Sequence, residues 1–311
     1  MRMEKTASKS SADLQRSIRR NRLRRLLSNK TARQSRSKLG NVLMFLFLVL
    51  FGAFSLLPLV LMLSNSFKPI NELYMYPQKF LPVAPTWSSY RTLFNLLSET
   101  WIPFTRYLFN TIFITLVVVL GRIIICSVAA YPLAKLKFPG KALINTLVMF
   151  SLMFTATIND IANYLIVDWL GWLDTYFAVV IPLIGNSLGL FITRNYLSAS
   201  VHDSLLEAAR LDGCNEFQCY FRVVMPLIRP AWLTVGILTV QEVWGATHTL
   251  YLYSEELKTL PYALSQITSG SMLRQGAAQA GAVIMLLVPA LMFIFSQARI
   301  INAMGTSGIK E

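Results

Sequence analysis

The chain has 311 residues, of which 54% are hydrophobic and only 14% charged, and its mean hydropathy is +0.51. Soluble domains carry about 25% charged residues and disordered chains far fewer apolar ones, so both classes are excluded. The formal net charge is +14, and residues 1–40 hold +11 of it through 13 Lys/Arg and two acids. The basic balance therefore describes an N-terminal arm and not a nucleic-acid-binding core.

In that arm Leu14, Ile18, Leu23, Leu26 and Leu27 stand among arginines. It forms either a solvated tail or a basic amphipathic helix lying on anionic membrane lipid. It has no aromatic residue on which bases could stack, so nucleic acid is not an expected partner. Crossing a bilayer takes about 20 mostly apolar residues. Six runs qualify: 41–66, 106–134, 143–166, 175–196, 230–253 and 277–299. The first has no charge from Val42 to Phe67, and the 40-residue basic lead is too long for a cleaved signal. Between the first two runs, 67–105 contains Pro69, Pro77, Pro82, Pro85 and Pro103 and reads as an extended external loop. With the N-terminus inside, the inner segments carry 22 Lys/Arg and the outer ones 5. Cytoplasmic loops carry the excess of Lys and Arg, which places both termini in the cytoplasm. The predicted fold class is all-α, a polytopic membrane protein with six transmembrane helices.

The expected organisation follows: arm 1–40, first helix 41–66, extracytoplasmic loop 67–105, a five-helix core over 106–299 and a cytoplasmic tail 300–311. The longest inner segment, 197–229, lies between the fourth and fifth spans. Cys126, Cys214 and Cys219 lack CxxC spacing, and neither histidine falls near enough to complete a metal set. No GxxxxGK[ST] run is present, so any ATP that drives the protein binds another chain. No Ser/His/Asp set or paired carboxylates point to catalysis.

Residues 204–230 read SLLEAARLDGCNEFQCYFRVVMPLIRP. Ser204 and Glu207 have capping-box spacing for a first short helix. Asp212-Gly213 stops it, because glycine takes the left-handed cap at least cost. Asn215 with Gln218 caps a second helix, Pro226 ends that one, and Pro230 suits the first turn of the next span. Taken together, Glu207, Ala208, Ala209, Asp212, Gly213, Phe221 and Pro226 resemble the EAA loop of ABC-importer permeases, with Met225 in place of the usual Leu. Further matches resemble the carbohydrate-uptake branch, the group of maltose and glycerol-3-phosphate permeases. They are Ser66-Phe67-Lys68-Pro69, Leu81-Pro82, Pro85-Thr86, Ser89-Tyr90-Arg91, Asn110-Thr111, Ala129-Ala130-Tyr131, Ala134, Phe138-Pro139-Gly140, Thr259-Leu260-Pro261 and Ser307-Gly308-Ile309-Lys310.

The resemblance implies a non-enzymatic membrane subunit of a binding-protein-dependent importer for a sugar or sugar-like solute. The loop 200–226 would hold a cytoplasmic coupling helix that docks on an ATPase. The implied partners are a second permease subunit in a heterodimer, two ABC ATPases that hold ATP and Mg, and an extracytoplasmic solute-binding protein. This chain itself would carry no cofactor. A secondary, ion-coupled transporter is the alternative, and it would need repeat-related halves with discontinuous spans.

Polar groups at membrane depth are expensive and face a partner helix or a wet cavity. Asn159, Asp160 and Asn163 lie near the outer end of span three, with Asp160, Asn163 and Tyr164 on one helical face. Gln241, Trp244 and His248 fall on one stripe of span five. Each set suits a sugar pathway, with rings for stacking and amides for hydroxyls, and each equally suits helix-end polarity or packing against a partner. Gly185 and Gly189 have GxxxG spacing for close helix packing. Arg122 and Glu242 lie 13 and 12 residues from the inner ends of spans two and five, or roughly 20 and 18 Å. Matching depth near the midplane predicts either that the two charges pair or that each is satisfied separately.

Overall fold

The computed structural model describes residues 38–98, 102–154, 156–270 and 274–307. The expectations for residues 1–37 and for Gly308, Ile309 and Lys310 lie outside the described residues. Among those described, all regular structure is helical. The chain divides into two units, Met1–Pro58 and Leu59–Glu311. In the first, the described residues belong to α1 (Lys38–Ser66), whose side chains from Val42 to Leu57 are exposed and apolar. A helix that is apolar all round needs a hydrocarbon surrounding.

The second unit begins with α2 (Ile70–Leu73) and α3 (Ser88–Ser98). The segment expected to be extended is therefore folded, and buried polar groups hold it so. Lys68 is 0% exposed and donates to Asn65 Oδ1 at 2.7 Å and to the Lys79 carbonyl. The Glu72 carboxylate accepts from the Val83 N–H at 2.7 Å. Leu93 and Leu97 of α3 then pack into a cluster with Tyr107, Leu260 and Ala280.

The centre of this unit is α4 (Phe104–Lys135), roughly 48 Å long at 1.5 Å per residue. Its buried residues recur every three or four positions, from Tyr107 through Ile114, Val118, Arg122 and Cys126 to Tyr131, which defines one inward face. That face contributes to three successive apolar clusters, through Tyr107, through Ile114 and Val118, and through Tyr131. Asn110 donates to the Glu256 and Lys258 carbonyls, and Thr111 Oγ1 accepts from the Leu260 N–H. The Asn-Thr and Thr-Leu-Pro motifs, distant in sequence, thus meet.

Around α4 run α5 (Lys141–Ser151), α6 (Ala156–Trp169), α7 (Tyr176–Ile184), α8 (Ser187–Ser200), α9 (Asp203–Leu211), α10 (Glu216–Leu227), α11 (Arg229–Trp244), α12 (Leu260–Gly270) and α13 (Gln275–Ser307). Among the described residues four stretches suffice, by length and composition, to cross a membrane: Gly40–Ser66, Phe104–Lys135, Tyr176–Ser200 and Gln275–Ser296. A fifth exists if α10 and α11, bent by 72°, count as one.

Three expectations need correction. The run 143–166 is divided between α5 and α6, because the chain turns at Leu152 and Met153. The run 230–253 stops being helical at Trp244, where Gly245 caps it and His248 takes φ +53°. Gly185 and Gly189 do not share a helix, since α7 ends at Ile184 with Gly185 as its C-cap, and the Asn186 side chain caps α8 by accepting from the Gly189 N–H at 2.6 Å. Only Gly189 packs closely: a Cβ there would lie 3.1 Å from Cys126 Sγ and 3.4 Å from Val235 Cγ1.

The break between α7 and α8 frees the last carbonyls of α7, and Arg122 fills that need. Arg122 is 2% exposed and donates from Nε to the Leu183 carbonyl at 2.9 Å and from Nη2 to the same oxygen. Its Nη1 donates to Thr239 Oγ1 at 3.2 Å and to Glu242 Oε2 at 2.6 Å, and Nη2 reaches Glu242 Oε1 at 3.4 Å. One guanidinium thus joins α4, α7 and α11. The Glu242 side chain is 48% exposed, so the desolvation burden falls on the arginine.

Two predictions follow from this packing. Gly189→Val should destabilise the solubilised protein by about 1–3 kcal/mol through overpacking, while Gly185→Ala should leave the thermal midpoint nearly unchanged; equal shifts would contradict the assignment. Glu242→Ala strands the buried Arg122 charge and should cost about 3 kcal/mol. The double variant Arg122→Met/Glu242→Ala should recover part of that loss, and strictly additive effects in the cycle would reject the pairing.

Candidate functional site

The EAA-like segment is built from α9, a turn and α10. Helix α9 starts at Asp203, with His202 at the N-cap position, so Ser204 is not its cap as the capping-box spacing suggested. Asp203 occupies the first turn, where the helix dipole favours an acid, and it accepts from Lys135 Nζ at 2.7 Å. That bond holds the Asp203 carboxyl below the usual carboxylate range. The contribution of the pair is therefore present at neutral pH and is lost as pH falls through the lowered value. Leu206 anchors α9 in the cluster with Tyr131, Leu197 and Cys219. Glu207, Ala208, Asp212 and Gly213 stand exposed, with Ala209 half-buried. Gly213 has φ +85°, the left-handed conformation that stops α9.

Asn215 and Gln218 form a reciprocal capping box at the start of α10. Pro226 does not end this helix, which runs to Leu227 with π-helical winding over Cys219–Val224. Proline has no N–H to give, so a change of register ahead of it leaves fewer bonds unmade. Pro226 is exposed, and the chain bends at the buried Ile228.

Sequence reasoning missed how this segment is tied down. The Tyr131 hydroxyl donates to Glu216 Oε2 at 2.6 Å, and Arg210 Nε donates to Glu216 Oε1 at 2.8 Å. Tyr220 and Ser127 hydroxyls meet at 2.9 Å. Together with Lys135–Asp203, these contacts clamp α9 and α10 to the Lys135 end of α4. Tyr131 and Lys135 sit one helical turn apart, which was the available signal; their partners 85 and 68 residues away gave none.

The second feature is a cavity of about 1020 Å³ whose lining includes Arg122, Asn159, Asp160, Asn163, Glu242 and His248. Helix α6 supplies Asn159, Asp160 and Asn163, the α7–α8 break supplies Gly185 to Leu188, and the non-helical stretch after α11 supplies 245–251. Two of the sequence-predicted residues stand elsewhere. Gln241 is outside the lining, and Trp244 is 5% exposed with Nε1 donating to the Met285 carbonyl at 2.9 Å. Trp244 packs against α13 and offers no open ring. His248 reaches the cavity because α11 has already ended, not because it continues a helical stripe. Asp174, which sequence reasoning passed over, fastens the far edge by accepting from the Tyr253 and Ser254 N–H groups at 2.9 and 2.8 Å and from the Ser254 hydroxyl. Chiefly that hydroxyl holds its carboxyl below the usual range.

Comparison with known proteins gives a consistent result. The model of a family described as "Binding-protein-dependent transport system inner membrane component" matches residues 118–304. The polygalacturonan/rhamnogalacturonan transport system permease protein YtcP of Bacillus subtilis strain 168 is 28% identical, over 73% of this chain and 76% of its own. The arabinooligosaccharides transport system permease protein AraQ of the same organism is also 28% identical, over 85% and 94%. A crystal structure of a bacterial ABC transporter involved in the import of the acidic polysaccharide alginate aligns with a TM-score of 0.67 at 25% identity, covering 86% of this chain and 99% of that one. Across more than half its length the sequence thus fits one family model, and the chain belongs to the family of binding-protein-dependent transport system inner membrane components.

Proposed function

We propose that the chain is the permease subunit of an ATP-driven importer for a sugar, oligosaccharide or sugar-like solute. It crosses the membrane six times with both termini cytoplasmic, α5 and α6 together forming the third span and α11 the fifth. It pairs with a second, different permease, two ABC ATPases that bind ATP and Mg, and an external solute-binding protein. The observation that carries this reading is that YtcP and AraQ, among its relatives, are described as transport system permeases for polygalacturonan/rhamnogalacturonan and for arabinooligosaccharides. Family membership accounts for the binding protein, and the polar cavity beside α6 and α11 offers amide and carboxylate groups that suit hydroxyls.

In this reading α9 is the coupling helix. Its exposed small residues, Ala208 and the half-buried Ala209, allow an ATPase backbone to approach closely. Leu211, at 89% exposure, with Phe217 and Phe221 forms an apolar rim for the same partner. The clamp on α4 connects that docking face to the helix that also carries Arg122. Asn159, Asp160, Asn163 and His248 then line the pathway, Glu242 faces it, and Arg122 holds Glu242 in place.

Purification of the tagged chain from its own membrane should bring an ATPase chain and a second permease with it. Recovery of the chain alone, with uptake driven by an ion gradient, would favour a secondary transporter. Gly213→Val puts a branched side chain at φ +85°, a strain of about 1–2 kcal/mol. No atom lies within 4 Å of the added Cβ, so the effect acts through the turn alone. Solute-stimulated ATP turnover should fall about tenfold while insertion persists, and normal stimulated turnover would sink the coupling role. Tyr131→Phe, which removes the hydroxyl that meets Glu216 and Arg210, should lower the solute moved per ATP hydrolysed without reducing the yield of assembled complex.

A further inference from the structure

Charge balance in the cavity narrows the class of solute. Among the described residues, the lining includes one Lys or Arg, Arg122, and two carboxylates, Asp160 and Glu242. An arginine has five N–H donors, and all five of Arg122 are engaged within the protein: with Leu183 twice, with Thr239 once and with Glu242 twice. Its side chain is nearly inaccessible, whereas that of Glu242 is about half open and Asp160 is exposed. The His248 Nε2 is itself buried, so that nitrogen is closed to a solute. Arg122 and Glu242 thus cancel within the fold, and the uncompensated charge that the cavity presents to whatever enters is the carboxylate of Asp160.

A solute carboxylate in this space meets like charge with no free guanidinium or ammonium to offset it, and the low-dielectric walls of a cavity strengthen that repulsion. A neutral sugar meets the opposite situation. Its hydroxyls donate charge-assisted bonds to Asp160 and Glu242, Asn159 and Asn163 accept and donate, and the ring of Tyr251 supplies an apolar wall. We infer that this chain's side of the cavity takes uncharged oligosaccharides and excludes those bearing uronate carboxylates. The inference rests on the saccharide-importer reading above, and it separates this chain both from the solved relative whose cargo is described as acidic and from YtcP, which is named for polygalacturonan.

The test uses the complete importer, with its binding protein, in proteoliposomes. Uptake is compared for a panel of neutral tri- and tetrasaccharides and for the same panel oxidised at C6 to uronates. The expected result is at least a tenfold preference for the best neutral member over its oxidised counterpart. Asp160→Asn should shrink that ratio about threefold and Asp160→Lys further, which assigns the preference to this subunit and not to the binding protein. Uronates moved as fast as neutral sugars, or a ratio untouched by both substitutions, would overturn the inference alone. Uptake of neither panel by an importer that still hydrolyses ATP would remove the saccharide reading itself, and this inference with it.

Discussion

Arg122 is the point at which this helical unit is made specific. A cation that is 2% exposed has to be satisfied within the protein. It can be satisfied only if three things hold together: α7 ends at Ile184 so that the Leu183 carbonyl is free, Thr239 faces inward from α11, and Glu242 stands one turn further along. Each of these has its own local cause. Pro182 and Gly185 stop α7, Asn186 restarts the chain as α8, and Gly189 lets α8 approach α4 at Cys126. Apolar packing between long helices is permissive about rotation and register. A guanidinium with three fixed partners is not.

The same helix serves both ends of the molecule's work. Helix α4 carries Arg122 beside the cavity and, nine residues on, Tyr131 against Glu216; four further residues bring Lys135 to Asp203. In the proposed reading, a helix fastened at both places gives a physical route by which movement of α9 and α10 would reach the cavity wall. Of the polar contacts at the Lys135 end, Lys135–Asp203 and Arg210–Glu216 are exposed and Tyr131–Glu216 partly so, which suits parts that shift against one another, while Ser127–Tyr220 is buried. The tie at Arg122 is buried, which suits a pivot.

Much of this was legible in the sequence, for reasons that can be named. Hydropathy marked the long apolar helices such as α1 and α4 because lipid demands long apolar runs, and Gly213 announced its turn because no other residue takes φ +85° so readily. Counting along ideal helices put Arg122 and Glu242 at one level. What the sequence hid was long-range or irregular. Ser204 and Glu207 have capping-box spacing, yet α9 begins one residue earlier, where Asp203 meets a lysine 68 positions away. The division of 143–166 left no charge or proline signal at Leu152 and Met153. Trp244 looked like a sugar platform on a helical wheel, but its neighbour is α13, which periodicity within α11 cannot reveal. Asn159, Asp160 and Asn163 were found because polarity in an apolar run is conspicuous, whereas Pro182, Gly185 and Asn186, which mark the break at 182–188, sit inside a run apolar enough to read as one span.

The central claim is that one buried arginine, held by a helix-end carbonyl and a carboxylate, fixes the cavity wall and neutralises its own charge within the fold. A cryo-electron-microscopy map of the assembled importer in lipid tests it most directly. The account predicts the Arg122 guanidinium within hydrogen-bond distance of both the Leu183 carbonyl and the Glu242 carboxylate, with Glu242 open to the cavity. Arg122 turned to lipid or to open solvent, or the two charges more than about 10 Å apart, a separation at which exposed charges are largely screened at ordinary salt, would contradict it.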